Sequence, residues 1–227
     1  MSANGAPRPG GRVRCPWPGV DPLYLDYHDR EWGTPLHDDR ALFELLVLEG
    51  FQAGLSWYTI LKRREGFRRA FQGFDPQVVA AYGPAEFERL LADTGIIRNR
   101  LKVEAAPINA RAFLAVRDKY GSFAKYLWGF VDGRPLVNAW ERMDQVPAVT
   151  PLSDTVSRDL KAKGFKFVGS TSVYAYLQSA GIVNDHFVSC FRYAELTGGP
   201  AASAPADPAK SGGAASEAGP PDASGRT

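Results

Sequence analysis

The sequence predicts an all-α protein with one compact domain, and three observations carry this prediction. Apolar residues recur at helical rather than alternating spacing along most of the chain. Convincing paired strands are lacking, with KFVGSTSV at 166–173 the only short candidate. Cysteines and histidines occur near both ends of the apolar part, so a shared site there would join its N- and C-terminal segments. We therefore expect a single domain over 13–195.

The first half of the domain contains a long apolar stretch and a short amphipathic helix. Asp38 opens the stretch ALFELLVLEGFQAGLSWYTILKRR, which is apolar nearly all round. This pattern predicts a buried central helix, or a pair of helices broken near Gly50 or Gly54. Pro84 suits the first turn of a second helix, PAEFERLLAD, whose apolar residues form one stripe.

Three more helices are predicted in the second half. The segment 98–121 has helical periodicity, with Pro107 as the expected position of a kink. Ser153 is the predicted cap of the next helix, which Gly164 should end. The last of the three spans 171–180. No internal repeat is visible in the sequence.

Composition restricts the class of protein. The chain has 227 residues and a net charge of only +2, which by itself does not indicate nucleic-acid binding. Segments 1–12 and 196–227 consist mainly of Pro, Gly, Ala and Ser, and we expect them to be disordered because they offer too little apolar surface to bury. Two cysteines give no disulfide framework, and no apolar run has membrane-spanning length. A soluble, cytoplasmic protein without membrane contact is expected.

Both cysteines and two of the three histidines form a candidate metal site. His186 and Cys190 are spaced i and i+4, so a helix would present a nitrogen and a sulfur on one face. With Cys15 and His28 they make a Cys2His2 set, a common tetrahedral ligand set for structural zinc. The same residues could instead fill the core, because no short-range zinc-finger spacing links the two halves.

The stretch DTGIIRNRLK at 93–102 joins two predicted helices through a short turn. Backbone N–H groups in such a turn, next to a helix N-terminus, can bind an anion. Arg98, Arg100 and Lys102 add positive charge for phosphates. These features are typical of a helix-hairpin-helix grip on a DNA backbone, although a solvated turn would have the same composition.

Five segments, at these spacings, resemble the DNA-3-methyladenine glycosylase I family. The segments are CPWPGVDPLYLDYHDREWGTP, LEGFQAGLSWYTILKRRE, FDPQVVA, GIIRNRLKVEA and GFKFVGSTSVYAYLQSAGIVNDHFVSC. The resemblance covers about residues 13–193. It implies an all-α fold of the helix-hairpin-helix glycosylase superfamily, with one structural Zn²⁺ held by the Cys2His2 set. His37 matches no ligand position and is interpreted as a surface residue.

The resemblance also implies a pocket for a flipped base. The family's base-recognising, catalytic glutamate falls on Glu49, its stacking tryptophan on Trp57 and its pocket tyrosine on Tyr27. Trp17 is expected to complete the wall, whereas core packing is the prediction for Trp32. From the residues alone, an ion pair with an arginine or an outward orientation is favoured for Glu49, and core packing is favoured for each aromatic. Because Tyr27 precedes a zinc ligand, zinc loss should damage base binding as well as stability.

The implied activity is hydrolysis of the N-glycosidic bond of 3-methyladenine in alkylated double-stranded DNA, with free 3-methyladenine as product. The enzyme is expected to be a monomer. No aspartate follows the hairpin at a catalytic position, so a monofunctional reaction with water as nucleophile is predicted. The DNA backbone contacts are expected at a small set of residues. They are Gly95, Arg98, Arg100, Lys102 and Lys166.

Some residues depart from the family pattern, and two other functions stay open. Ala175 stands where some relatives have a small hydroxyl residue, and the hairpin lacks a second glycine, with Asn99 tolerating left-handed geometry in its place. A non-catalytic module that binds alkylated bases would keep Trp57 and the hairpin without needing Glu49. A helical zinc protein that binds a purine-like small molecule would not need the basic hairpin.

Overall fold

The computed structural model describes residues 11–198 and is mostly helical in that range. The predicted disordered segments lie mostly outside the described residues, because only 11–12 and 196–198 of them are included. The eleven α-helices of residues 11–198 are α1 (Pro22–Arg30), α2 (Asp39–Gln52), α3 (Trp57–Leu61), α4 (Arg64–Ala70), α5 (Pro76–Ala80), α6 (Pro84–Ala92), α7 (Arg100–Tyr120), α8 (Phe123–Trp128), α9 (Pro151–Ala162), α10 (Ser170–Ser179) and α11 (Phe191–Thr197). The all-α prediction is confirmed.

Two strands of two residues each form the sheet of the described chain. They are β1 (Leu136–Val137) and β2 (Val183–Asn184), which pair in parallel. The short candidate strand at 166–173 is not formed: residues 166–169 are a loop, and 170–173 already belong to α10. Its β-branched residues alternate over too short a distance to outweigh the helical pattern that follows from Ser170 onward.

Helix α2 is the central helix of the core. Every residue from Leu42 to Phe51 is buried, which is why the sequence is apolar nearly all round. Asp38 caps its N-terminus by accepting a hydrogen bond from the N–H of Ala41 at 2.8 Å. The predicted break is confirmed: α2 ends at Gln52, and α3 begins at Trp57 after the exposed turn 53–56.

Helix α7 runs uninterrupted through Pro107, so the proline does not end the helix as it would in many contexts.

Helix α9 begins at Pro151 with Thr150 as its cap, so the prediction of Ser153 as cap is wrong. Thr150 Oγ1 accepts from the Ser153 N–H at 3.1 Å, and Ser153 Oγ accepts from the Thr150 N–H at 2.8 Å. This reciprocal pair is a capping box that uses serine as its third residue. Gly164, at φ +92°, ends the helix region as predicted.

Helix α10 packs against both α2 and α9, and Ser179 in its last turn hydrogen-bonds Glu49 near the C-terminal end of α2. The N- and C-terminal segments of the described chain meet in a small apolar cluster that contains Cys15, Phe187, Cys190 and Phe191. No helix in residues 11–198 is long and apolar enough to cross a membrane. The fold thus brings α1, α2, α10 and the segment before α11 to one region.

Candidate functional site

A cavity of about 220 Å³ lies where these elements meet. Its volume is several times the roughly 30 Å³ that one water molecule occupies in the liquid. Aromatic side chains form a large part of the wall, and they come from α1, from α3, from the segments on either side of α1 and from the segment before α11. They are Trp17, Tyr24, Tyr27, Trp32, Trp57 and Phe187. Such a wall suits a flat, electron-poor ring.

The aromatic rings pack closely around the cavity. The ring centroids of Tyr27 and Trp57 are 5.4 Å apart, and the Trp17 centroid lies 5.0 Å from both Tyr24 and Trp32. Trp57 and Tyr27 are buried, whereas Trp17 and Trp32 are half-buried. Trp32 packs against the core as predicted, but it also lines the cavity, which the sequence prediction did not include.

Glu49 lies on the cavity wall and is only 3% exposed. Burial raises the pKa of its carboxyl group to about 8, because the charged form loses its solvation. Oε1 accepts a hydrogen bond from the Ser179 hydroxyl at 2.9 Å, whereas Oε2 is buried without a partner among the described residues. An unpaired buried carboxylate oxygen is costly to the fold, and a ligand with a hydrogen-bond donor would satisfy it.

Ser179 connects Glu49 to Tyr27. The Tyr27 hydroxyl donates to Ser179 Oγ at 3.0 Å, and Ser179 in turn donates to Glu49. All three side chains are buried and line the cavity. Ser179 is not predictable as a site residue from the sequence, since a serine in the last turn of a helix carries no distinct signal. The chain fixes the orientation of the tyrosine and the carboxylate relative to each other.

The alternative interpretation of Glu49 as half of a buried ion pair does not hold in this structure. Another glutamate on α2, Glu44, takes that role, accepting from Arg64 Nε at 2.5 Å and from Arg68 Nε at 3.0 Å. No ion pair in the described chain involves Glu49. The sequence could not distinguish the two acids, because both lie in the same apolar stretch.

Asp185 is a polar residue of the cavity wall that was also not predicted from the sequence. Asp185 is buried and accepts hydrogen bonds from Asn138 Nδ2 at 2.7 Å, Trp140 Nε1 at 2.7 Å and Gln178 Nε2 at 2.6 Å. The Tyr174 hydroxyl donates to Oδ2, the oxygen that also accepts from Gln178, whereas Asn138 and Trp140 donate to Oδ1. Both carboxylate oxygens are therefore satisfied within the protein. Ala175 also lines the cavity, where its methyl group offers no hydrogen bond.

The four predicted metal ligands come together in the structure. One donor atom from each of Cys15, His28, His186 and Cys190 lies within 4.8 Å of the other three, and all four residues are buried. The expectation that a helix carries both His186 and Cys190 is wrong: both precede α11, and Cys190 is its N-cap residue. A turn closed by the Cys190 N–H donating to the Phe187 carbonyl at 2.8 Å brings the two side chains together instead.

The surroundings of the two histidines fit a metal ion. His28 Nε2 faces Cys190 Sγ at 3.5 Å, while its Nδ1 contacts Asp29 Oδ1 at 2.8 Å. His186 Nδ1 faces both sulfurs at 3.6 Å, while its Nε2 contacts the Trp32 carbonyl at 3.0 Å. Ligating histidines usually direct their second nitrogen at a carboxylate or a carbonyl in this way. The contact of the Cys15 thiol with Cys190 lowers the pKa of Cys190 and raises that of Cys15.

The predicted hairpin is a turn, at 93–99, between α6 and α7. Buried Ile96 anchors it, and Asn99 caps α7 by accepting from the Lys102 N–H at 3.2 Å. The Gly95 N–H already donates to Asp93 Oδ1 at 2.7 Å. A phosphate could therefore use this N–H only by displacing the aspartate.

The predicted backbone contacts differ in their surroundings. Arg98 and Lys166 are exposed, and Arg100 is exposed but ion-paired with Glu88 at 3.1 Å and Glu104 at 3.3 Å. The prediction for Lys102 does not agree with the structure, since this residue is only 8% exposed. Its ammonium group donates to two backbone carbonyls instead of facing solvent.

The remaining histidine, His37, is exposed, which agrees with its interpretation as a surface residue. Its ring stacks on Trp128.

A mostly helical fold with a buried acid in an aromatic-lined cavity, and with a basic turn between two helices, is the architecture expected of a protein that binds a flat base. The sequence profile of the methyladenine glycosylase family matches residues 17–193. The chain is 48% identical over 180 residues to DNA-3-methyladenine glycosylase 1 of Escherichia coli K12, which covers 79% of this chain and 96% of the relative.

Solved structures agree with the sequence relatives. A crystal structure of 3-methyladenine DNA glycosylase I aligns with a TM-score of 0.77 at 51% identity, over 79% of this chain and 98% of the other. A structure of 3-methyladenine DNA glycosylase I from Staphylococcus aureus, which addresses 3-methyladenine recognition, aligns with a TM-score of 0.73 at 42% identity. The alignment covers 75% of this chain and 90% of the other.

The chain belongs to the methyladenine glycosylase family. The predicted resemblance is confirmed, and so is the predicted class of enzyme, a DNA repair glycosylase for 3-methyladenine.

Proposed function

We propose that the enzyme flips 3-methyladenine out of alkylated double-stranded DNA into the aromatic cavity and hydrolyses its N-glycosidic bond there. The products are free 3-methyladenine and an abasic site. The observation that supports this assignment best is Glu49. It is buried in an aromatic cavity without a cationic partner in the described chain, and its Oε2 is unpaired.

The cavity favours a cationic base. Methylation at N3 leaves adenine positively charged, and a positively charged ring is attracted to the faces of Trp57 and Tyr27. Entry of this charge would lower the pKa of Glu49 from its value of about 8, so the acid would ionise as the base arrives. Glu49 Oε2 would then accept a hydrogen bond from the base edge. A neutral base would lack this charge attraction.

The chemical step needs little help from the protein, because the leaving group is already cationic. The C1′–N9 bond breaks with its electron pair going to the base, which departs as neutral 3-methyladenine. The oxygen of a water molecule bonds to C1′, and the water proton is released to solvent. No lysine lines the cavity among the described residues, so its walls offer no amine for a Schiff base. This supports a monofunctional enzyme.

We also propose one structural zinc ion at Cys15, His28, His186 and Cys190. Two sulfurs and two imidazole nitrogens within 4.8 Å suit its tetrahedral preference. The ion would keep both thiols ionised and hold the two ends of the domain together. It lies behind the cavity wall, since Trp32 contacts both His186 and Trp17. It would supply rigidity there rather than take part in the reaction.

The backbone grip is proposed at Arg98, Arg100 and Lys166, with the turn at 93–99 facing the DNA. Arg98 and Lys166 offer exposed charges. Arg100 would exchange its contacts with Glu88 and Glu104 for a phosphate. Each phosphate contact should add about 0.9 to the negative slope of log affinity against log salt concentration.

The test is release of free 3-methyladenine from methylated duplex DNA by wild type, Glu49→Gln and Glu44→Gln at equal zinc content. We expect release by wild type, loss of about 10²-fold in Glu49→Gln, and activity close to wild type in folded Glu44→Gln. Equal losses in both variants would reassign Glu49 to a structural role. Binding of methylated DNA without any base release would instead favour a non-catalytic damage-binding module.

A further inference from the structure

Lys102 is a buried lysine that forms no ion pair with an acidic side chain of the described residues. Its Nζ donates to the Phe51 carbonyl at 2.8 Å and to the Ala53 carbonyl at 2.6 Å. Burial lowers the pKa of Lys102, because the ammonium group loses solvent. A buried cation is retained only where something compensates its desolvation, and here the compensation comes from backbone dipoles.

These two carbonyls belong to the end of α2. The last carbonyls of a helix lack partners within the helix, and they carry the negative end of the helix dipole. A lysine that donates to them therefore gains both hydrogen bonds and a favourable field. The chain leaves helical geometry at Ala53 and turns at Gly54, with the Leu55 N–H donating to the Gln52 carbonyl at 2.6 Å.

The same end of α2 forms one wall of the cavity. Glu49 and Gln52 line the cavity from α2, and the turn leads directly to Ser56, which caps the helix that begins with Trp57. The position of Ala53 therefore influences both the carboxylate and the stacking ring. The two hydrogen bonds from Lys102 hold this turn from outside the cavity.

Lys102 itself belongs to the hairpin. It lies in the first turn of α7, and its own N–H donates to the side chain of Asn99, the cap residue next to Arg98. One side chain thus joins the segment proposed to grip the DNA backbone to the segment that carries the base-binding groups.

We propose that Lys102 is a positioning residue that fixes the turn between Glu49 and Trp57 relative to the hairpin, so that DNA bound at the hairpin meets a correctly formed cavity. The inference rests on the proposed function of both segments. It replaces the phosphate contact expected from the sequence with a contact inside the protein. Removing the ammonium group should disturb base binding and excision, and leave the count of phosphate contacts unchanged.

The experiment compares Lys102→Met with Arg98→Met, which removes an exposed charge from the same hairpin. Both proteins are studied at full length, zinc-loaded, and at a temperature where circular dichroism shows them folded. Three quantities are measured: affinity for free 3-methyladenine by tryptophan fluorescence, the single-turnover excision rate at saturating enzyme, and the salt dependence of binding to undamaged duplex.

We expect Lys102→Met to lower the affinity for free base and the single-turnover rate about tenfold each. The slope of log affinity against log salt concentration for undamaged duplex, here called the salt slope, should stay at the wild-type value. Arg98→Met, in contrast, should lose about 0.9 from the salt slope, as expected for loss of one phosphate contact. A Lys102→Met protein that loses salt slope and keeps base affinity would overturn the proposal in favour of a phosphate contact. Unchanged values for all three quantities would overturn it as well.

Two further measurements keep the result interpretable. Should Lys102→Met fail to fold, Lys102→Gln, which keeps a hydrogen-bond donor on a shorter side chain, is expected to show the same pattern. Amide exchange at residues 55–57 should be faster in either variant than in wild type, and unchanged exchange would contradict the proposed contact. Exchange does not depend on activity, so absence of base release by wild type would reject the proposed function separately.

Discussion

Glu44 and Glu49 lie on the same buried helix, yet Glu44 is neutralised by two arginines while Glu49 has only the Ser179 hydroxyl. The first acid supports the fold, because its charge is paired and its hydrogen bonds are satisfied. The second opposes the fold, because the hydrogen bond from Ser179 compensates only part of the desolvation of its charged form. A buried acid that the fold itself does not need is what a site for a cationic base requires.

The raised pKa of Glu49 predicts a pH-dependent stability. The folded state holds a proton up to a pKa of about 8, while in the unfolded state the acid titrates near its ordinary 4.5. Between these pH values the unfolded state binds fewer protons, so the free energy of unfolding should fall as pH rises, by a few kcal/mol in total. Glu49→Gln should be free of this contribution and therefore be more stable than wild type at pH 8.

Urea unfolding at pH 5, 6.5 and 8 measures this difference. The gap between Glu49→Gln and wild type should widen with pH. Glu44→Gln is the matched control, since it leaves Arg64 and Arg68 without their shared partner and should be less stable than wild type throughout. A constant gap for Glu49→Gln would show that Glu49 titrates normally in the folded protein.

Ser179 should tune the acid, and Ser179→Ala tests this. The Ser179 hydrogen bond lowers the pKa of Glu49 against the larger effect of burial. Its removal should move the pH profile of 3-methyladenine binding to higher pH and lower the affinity near neutrality by about 5- to 10-fold. Titration of free base over pH 6–9 measures the shift.

Tyr27→Phe removes the other end of the same chain and serves as the comparison for Ser179→Ala. Its ring remains in the cavity wall, but it no longer donates to Ser179 Oγ. We expect Tyr27→Phe to keep the wild-type pH profile more closely than Ser179→Ala does. A pH profile of Ser179→Ala that superimposes on wild type would contradict the role of the serine.

The hairpin turn depends on a glycine outside it. A Cβ placed on Gly66 would lie 2.4 Å from the Gly95 carbonyl oxygen, so Gly66→Ala must displace the turn. We expect a loss of about 1–3 kcal/mol in stability and weaker binding to undamaged duplex. Thermal unfolding and a DNA titration measure the two effects. Gly129→Ala, where a Cβ meets nothing within 4 Å, should change neither.

The sequence predicted those parts of the site that have chemically distinct residues in recognisable segments. Glu49 and Trp57 line the cavity, and the four metal ligands converge, as the resemblance of their segments to the glycosylase family implied. Ser179 and Lys102 could not be placed in this way. Their roles depend on which backbone or side chain lies opposite them, and this is decided by helix packing between segments distant in sequence. A basic residue at a helix start can face phosphate or a neighbouring helix end with the same local pattern.

Removal of the metal tests whether the metal ligands support the base-binding cavity as well as the fold. His28 follows Tyr27 on α1, and His186 is in edge contact with Trp32, so two cavity residues are attached to the ligand cluster. Loss of zinc would leave buried thiols and imidazoles without their ion, and it should lower the melting temperature. It should also reduce affinity for 3-methyladenine in the protein that remains folded.

Metal analysis should find one zinc ion per chain, and chelator-treated protein should be measured below its reduced melting temperature. The control is Cys190→Ser, which removes one ligand but no cavity residue and should reproduce both losses at reduced zinc content. Readdition of zinc should restore base affinity in the chelated wild type. Folded, metal-free protein with full base affinity and excision would separate the metal from the cavity and limit it to holding the two ends of the domain together.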